Sequence, residues 1–213
     1  MTENDSSAVA SIDDLRALHD PPTERVIAKQ LSKLDTYCKR FIALSPFLCI
    51  STHDSDGNAD VSPRGDAPGF VRVIDDSTLI VPDRRGNNRL DTLANIVDQP
   101  SVGLLFLVPG INETLRINGT AEVVRDQAIL AAAETNGIRP KVAVRVTVRE
   151  AFLHCGKAMI RSHLWDPERH VSRDILPGLG QMIAEQIAGA PIDAEVAAAA
   201  DARIEESYKT RLY

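Results

Sequence analysis

Two segments of this chain alternate apolar and polar residues with a period of two. In the first, Leu115, Ile117, Ala121 and Val123 face one way, and Arg116, Asn118, Thr120 and Glu122 face the other. In the second, Val142, Val144, Val146 and Val148 oppose Ala143, Arg145, Thr147 and Arg149. Successive side chains of a strand point to opposite faces, so this pattern specifies long strands with one face on a core. Further strands are expected at Phe47–Thr52, Phe70–Ile74, Thr78–Val81 and Val102–Val108. The last is almost wholly apolar and is expected in the middle of a sheet, covered on both faces. Turn residues separate these runs: Asp54-Ser55-Asp56-Gly57-Asn58, Asp75-Asp76 and Pro109-Gly110. Six or seven strands with few long crossovers favour a closed or half-closed antiparallel barrel over a doubly wound sheet.

Helices flank this β-rich middle. Ser11 and Asp14 have the spacing of a capping box, which starts a short helix. Pro21-Pro22-Thr23 opens a longer one, in which Val26, Ile27, Leu31, Leu34, Cys38, Phe41 and Ile42 recur at three- and four-residue steps. Ser45-Pro46 ends it, because the residue before proline avoids helical geometry. Residues 88–97 and 127–134 read as helices. So do a stretch after Cys155, Leu179–Ala188 and the alanine-rich 194–209. The organisation is therefore a tail and short helix over 1–24, one barrel domain over 25–185, and a helical extension over 186–213.

Composition excludes several functions. With 213 residues and 44% hydrophobic content the chain can bury one substantial core. A net charge of −6 argues against a general nucleic-acid binder, which needs a basic surface. The polar, acidic start MTENDSSAVASIDD is no secretory signal, and no apolar run approaches the ~20 residues of a spanning helix. Three cysteines without a CxxC pair fit a reduced compartment, so a cytoplasmic protein with no membrane partner is expected. Asp54, Asp56 and Asn58 imitate the start of a calcium loop. The twelfth position, however, is Gly65 and not glutamate, so a hairpin turn is expected. His154, Cys155, His163 and His170 lack the spacing of a zinc site. There is no G-x-S-x-G elbow, Walker loop or Rossmann glycine run.

Four stretches together carry a resemblance. They are Ser62-Pro63-Arg64-Gly65-Asp66 with Pro68-Gly69-Phe70, and Val81-Pro82-Asp83 with Gly86-Asn87-Asn88-Arg89. The others are Pro100–Phe106 with Glu113–Gly119, and Phe152–Ala158 with Arg161-Ser162 and Leu164-Trp165. In this order they resemble the pyridoxamine 5′-phosphate oxidase-like split barrels, over roughly residues 25–185. The resemblance implies a mainly β protein with flanking helices, an antiparallel FMN-binding split β-barrel. It also implies a homodimer with FMN at the interface. The activity it implies is two-electron redox on a small-molecule substrate, with a separate electron donor.

The same resemblance assigns candidate cofactor residues. Arg64, with Gly65 and Asp66 in a Pro-Arg-Gly-Asp turn, and Asn88 with Arg89 at the start of the 88–97 helix are the phosphate-binding candidates. Arginine and helix-start N–H groups suit a phosphate of nearly two negative charges. From the residues alone, Arg64 is equally a surface turn arginine and Asn88 equally a helix cap. Val81 and Pro82 match the strand end that lies along the flavin. Thr114 stands where the family places a polar side chain near the ring, and Arg116 lies on the polar face of the same strand. Lys157, Arg161 and Trp165 share a four-residue spacing, so a continuous helix would put all three on one face, over the flavin. No catalytic residue is named, because the flavin carries the chemistry. The family's arginine- and histidine-bearing C-terminal substrate motif is absent in recognisable form. Two other readings stay open: a non-catalytic flavin or haem carrier, with His154 or His163 as the axial ligand, and a deazaflavin-dependent reductase.

Overall fold

A computed structural model describes residues 8–213. Seven strands form one antiparallel sheet in the order β2-β1-β5-β6-β7-β4-β3. They are β1 Phe47–His53, β2 Ala59–Gly65, β3 Arg72–Val73, β4 Thr78–Pro82, β5 Ser101–Leu107, β6 Thr114–Val124 and β7 Ala143–His154. The two segments with strict alternation are the long pair β6 and β7, at the centre of the sheet. Leu115, Ile117, Val144 and Val146 are at most 3% exposed and fill the core side, as their period requires. The sheet curls into a split barrel that hydrogen bonds do not close.

Glycine decides one irregularity. Gly119 pairs with Val148, whereas Asn118 pairs with Glu150, so Arg149 is an extra residue and β7 carries a bulge. A Cβ on Gly119 would lie 2.0 Å from the Thr147 carbonyl oxygen, so only glycine fits. The bulge also flips the parity of β7. Val146 and Val148 face the core before it, and Ala151 after it.

The helices are α1 Ile12–Ala17, α2 Glu24–Ala28, α3 Thr36–Leu44, α4 Asp91–Asp98, α5 Gln127–Ala132, α6 Lys157–Ser162, α7 Leu179–Ala188 and α8 Ala194–Thr210. The Ser11 side chain caps α1 by accepting from the Asp14 N–H, and α3 stops at Ser45 as the following proline demands. α3 and α4 cover the core side of the sheet through Cys38, Phe41, Ile42 and Ile96.

Four expectations are corrected. The single long helix from residue 24 is two helices. Leu31 breaks it by exchanging backbone hydrogen bonds with Ala151 of β7, and Asp35 caps a new helix by accepting from the Cys38 N–H at 2.8 Å. Val26 and Ile27, placed in its buried stripe, are exposed. The Pro-Arg-Gly turn is instead the end of edge strand β2, where Pro63 pairs with Cys49. The helix expected from residue 88 begins at Asp91, because Asn88 and Leu90 take left-handed backbone conformations. Finally, Val102–Val108 is covered fully on one face only. Val102, Leu104 and Phe106 are buried, while Gly103, Leu105 and Leu107 are half-buried.

Candidate functional site at the barrel seam

The barrel is split where edge strand β2 comes past the end of β4. Two ion pairs bridge this seam. Arg64 on β2 donates to Asp83, just after β4, at 2.8 Å. Two residues further along the first segment, Asp66 accepts from Arg84 at 2.6 Å. Alternation along β2 turns Arg64 to the core side of the sheet, and the chain order Asp83-Arg84 meets it with opposite charges in register.

Asp66 is the buried support of this seam. Its side chain is 2% exposed, and it accepts from the Ala67 N–H, from Arg84 and from the Tyr213 hydroxyl at 2.9 Å. Burial pushes its pKa up, but these donors outweigh burial and hold the carboxyl below its ordinary value. Arg84 is equally committed. Besides Asp66 it donates to the Ala133 carbonyl at 2.9 Å and to Thr135 Oγ1 at 2.7 Å, and it lies 5.8 Å from the Tyr213 ring centroid. Asp66 and Arg84 therefore fix the base of the next loop.

That loop, Arg85-Gly86-Asn87-Asn88-Arg89-Leu90, is exposed throughout. Thr92 donates its hydroxyl to Asp60 of β2 at 3.1 Å, so the loop is held along the β2 edge at both ends. Among the described residues, the N–H groups of Arg85, Gly86, Asn87 and Asn88 bond to nothing in the chain. A Cβ on Gly86 would meet no atom within 4 Å, so the backbone is approachable from outside. Arg89 is 73% exposed, and its Nε donates to Asp91 at 2.8 Å. That pairing raises the guanidinium pKa further and leaves the other nitrogens of Arg89 outward. Arg85 makes no ion pair among the described residues. Cationic side chains beside free N–H groups on a glycine-containing turn are the elements of a phosphate cradle.

The structure brings Arg64, Gly65, Asp66, Val81, Pro82, Asn88 and Arg89 to this seam. Val81 and Pro82 are buried, so only their backbone can meet a ligand. The remaining predicted residues lie elsewhere in the same subunit. Arg64 pairs through Leu48 and Phe106 to Leu115, so it shares their core-side face. Arg116 is one residue on and points to the outer face, beside Leu105 and Phe152. Three strand spacings of about 4.8 Å separate these strands, in addition to the sheet itself. Thr114 is 5% exposed, opposite His154.

Lys157 and Arg161 stand exposed on α6, but Trp165 does not join them. The helix ends at Ser162, His163 turns left-handed, and the Trp165 indole N–H donates to the Ile111 carbonyl at 3.0 Å. His154, one haem-ligand candidate, is exposed. Burial first, then Lys29 and Arg116, lower its pKa and favour the neutral ring. His163 lies 3.8 Å from Asp166.

Sequence reasoning missed Arg84, Arg85 and Tyr213. The consecutive arginines before Gly86 were a usable signal, because they stand between two quoted motifs. Nothing in the sequence connects Tyr213 to Asp66.

A concavity of about 540 Å³ is open and lies on the outer face around the bulge, lined by Ser51, Gly103, Asn118 and Arg149 among others. Next to it, on the same face, are Val61, Pro63, Cys49, Leu105 and Leu107. Val61 is 64% exposed. An apolar face of this kind suits packing against another subunit better than binding one small polar molecule.

The model of the family described as pyridoxamine 5′-phosphate oxidase matches residues 34–155, more than half of the chain. The chain belongs to this family. The match begins before α3 and ends just after β7, so it spans the barrel and leaves α6–α8 outside. Among solved structures, HupZ of Group A Streptococcus is similar at 22% identity, over 56% of this chain and 93% of that one, with a TM-score of 0.48. An FMN-binding protein from Syntrophomonas wolfei is 11% identical over 54% of this chain and 81% of its own, with a TM-score of 0.44. An FAD-binding protein from Mycobacterium smegmatis is 18% identical over 58% and 97%, with a TM-score of 0.42. No functionally curated protein matches. Among the described residues no group of three or more metal-ligating side chains converges, and no helix is long and apolar enough to cross a membrane.

Proposed function

We propose that the chain is an FMN-dependent oxidoreductase acting on a small molecule as a cytoplasmic homodimer. The seam carries the proposal: Arg64, Arg85 and Arg89 surround a loop whose N–H groups are free and whose base Asp66 and Arg84 fix. This donor set fits a phosphate monoester. The bound flavin would supply two-electron transfer, and the protein would supply binding, orientation and electrostatics. Arg64 would offer the guanidinium N–H groups not taken by Asp83. Arg89 would offer those not taken by Asp91. Val81 and Pro82 would lie along the ring system through their backbone.

The division of the predicted residues between two faces supports the dimer. Arg64 of the seam group and Arg116 are on opposite faces of one sheet, so a single flavin would reach both only if they came from two subunits. The half-buried outer face of β1 and β5 gives those subunits a surface to share. A C2 arrangement would then build two equal sites.

The test is a spectrum followed by a titration. Recombinant protein is expected to show flavin absorption, or to take it up from FMN in preference to FAD. A haem Soret band or a deazaflavin spectrum would replace the reading, and a colourless protein without thermal stabilisation by excess FMN would end it. Arg89→Ala is expected to weaken FMN binding about 10- to 100-fold, as loss of a charge-assisted hydrogen bond would. Its effect on riboflavin, which lacks the phosphate, is expected to be small. Equal losses for both ligands would remove Arg89 from the phosphate site.

A further inference from the structure

The outer face carries a second concentration of positive charge. Phe152 of β7 is half-buried, with Lys29 Nζ 5.5 Å and Arg116 Cζ 5.1 Å from its ring centroid. His154 is two residues further along β7, close enough for both cations to depress its pKa. Lys29 donates to the Leu153 carbonyl at 3.0 Å, and among the described residues neither Lys29 nor Arg116 makes an ion pair.

The carboxylates nearby are already engaged. Asp35 caps α3 through the Cys38 N–H, and Glu150 accepts from Gln30 and Asn118. A protein with a net charge of −6 therefore gathers two unpaired cations and a histidine around one aromatic ring. The ring attracts them only in part, because a cation over an exposed aromatic face gains about 0.5–1 kcal/mol.

A cavity of about 270 Å³ adjoins this cluster, lined by Lys29, Leu31, Asp35, Cys38, Phe152 and Leu153. Its walls are mainly apolar, with Lys29 as its cation and Asp35, held on the Cys38 N–H, as its one carboxylate. Burial pushes the Cys38 thiol pKa up to about 11, so that side chain contributes a neutral, apolar wall. Lys29 belongs to both the cluster and the cavity, so a negative group held by Lys29 would have its attached atoms lying against Phe152 and Leu31. That size and polarity describe an organic acid of about ten heavy atoms, with one carboxylate and an apolar body.

We propose that Lys29, Arg116 and His154 bind the carboxylate of a small organic acid whose apolar part fills the Leu31–Phe152–Leu153 cavity. The site is separate from the seam; it shares Arg116 with the residues that the proposed dimer would bring to the flavin, and Lys29 belongs to it alone.

Benzoate is the probe, with benzamide as its neutral isostere and inorganic phosphate as a bare anion. Each is titrated into the full-length protein, with calorimetry for affinity and NMR of the histidine rings for location. Benzoate is expected to saturate and to move the His154 ring signals, with benzamide and phosphate at least tenfold weaker. Lys29→Gln and Arg116→Gln are each expected to weaken benzoate about tenfold or more. Lys29→Gln is expected to leave FMN affinity unchanged, which separates this site from the seam. The proposal is overturned if benzoate does not saturate, or if benzamide or phosphate binds equally well. It is also overturned if His154 does not respond, or if both substitutions leave benzoate affinity intact.

Discussion

The barrel and the C-terminal helices are held together by different means. The barrel surrounds one continuous core, in which Phe106, Ile42, Leu48, Ile50, Leu115 and Ile117 are fully buried. α7 and α8 pack chiefly against each other, and their only buried residues are Gly180 and Ala197. Several of their larger apolar side chains are turned outward: Ile187 is 82% exposed and Val196 52%. The barrel is therefore stabilised by apolar area, at about 25 cal/mol per Å² removed from water. The hairpin relies instead on close backbone approach and a few polar contacts. One is the Gln181 N–H donating to Asp201 at 3.0 Å, and another is Tyr213 on Asp66. The family match ends at residue 155 and includes neither helix of the hairpin.

Gly119→Ala strikes the barrel at its tightest point and carries the largest expected effect. The new Cβ would have to displace the Thr147 carbonyl within the β6–β7 pair, from 2.0 Å. A loss of about 3 kcal/mol or more is expected in urea unfolding, since the backbone must move to relieve the overlap. A loss under about 1 kcal/mol would show that the bulge can slide, and that the centre of the barrel is no more rigid than the hairpin.

The alternation of β6 and β7 was legible because one buried face imposes a period of two on both strands. β2 was not, because Pro63 and Gly65 read as a turn. An edge strand tolerates both, since it has only one neighbour to bond. The break at Leu31 was invisible for a related reason: its cause is Ala151, 120 residues away. At the site, the resemblance picked out Arg64 and Arg89, and the geometry places both at the seam. Sequence spacing put Trp165 on the face of α6, but a left-handed His163 takes it off the helix. Asn88 was expected at the start of the 88–97 helix, whereas its own left-handed conformation places it in the loop before α4. Local backbone reversals of this kind carry little signal at non-glycine positions.

Gly180→Val tests the hairpin alone. A Cβ there would lie 2.3 Å from the Ala200 carbonyl carbon, so α7 and α8 must separate. Amide exchange is expected to accelerate throughout α7 and α8, as if that unit lost about 1–3 kcal/mol, while β6 and β7 amides keep their protection. Equal acceleration in the barrel would mean that both regions unfold as one unit, and the distinction between them would fail.

The smallest expected effect concerns the hydrogen bond that joins the two regions at the seam, and its pH dependence identifies it. Tyr213→Phe removes the hydroxyl donor to Asp66, at roughly 1 kcal/mol near neutral pH. Asp66 has a lowered folded pKa. Its contribution is therefore present above the ordinary carboxylate range and is lost as pH falls through the folded value. Tyr213 has a raised pKa, first because its hydroxyl bonds to Asp66. Its contribution is present below the ordinary tyrosine value, near 10.0, and is lost as pH rises through the folded value. The difference in stability between wild type and Tyr213→Phe is thus expected to be greatest between these limits and to shrink in both acid and alkali. A difference constant with pH would assign the tyrosine's contribution to its ring over Arg84 and not to the hydroxyl. No difference at any pH would mean that the C-terminal helices rest beside the seam without supporting it.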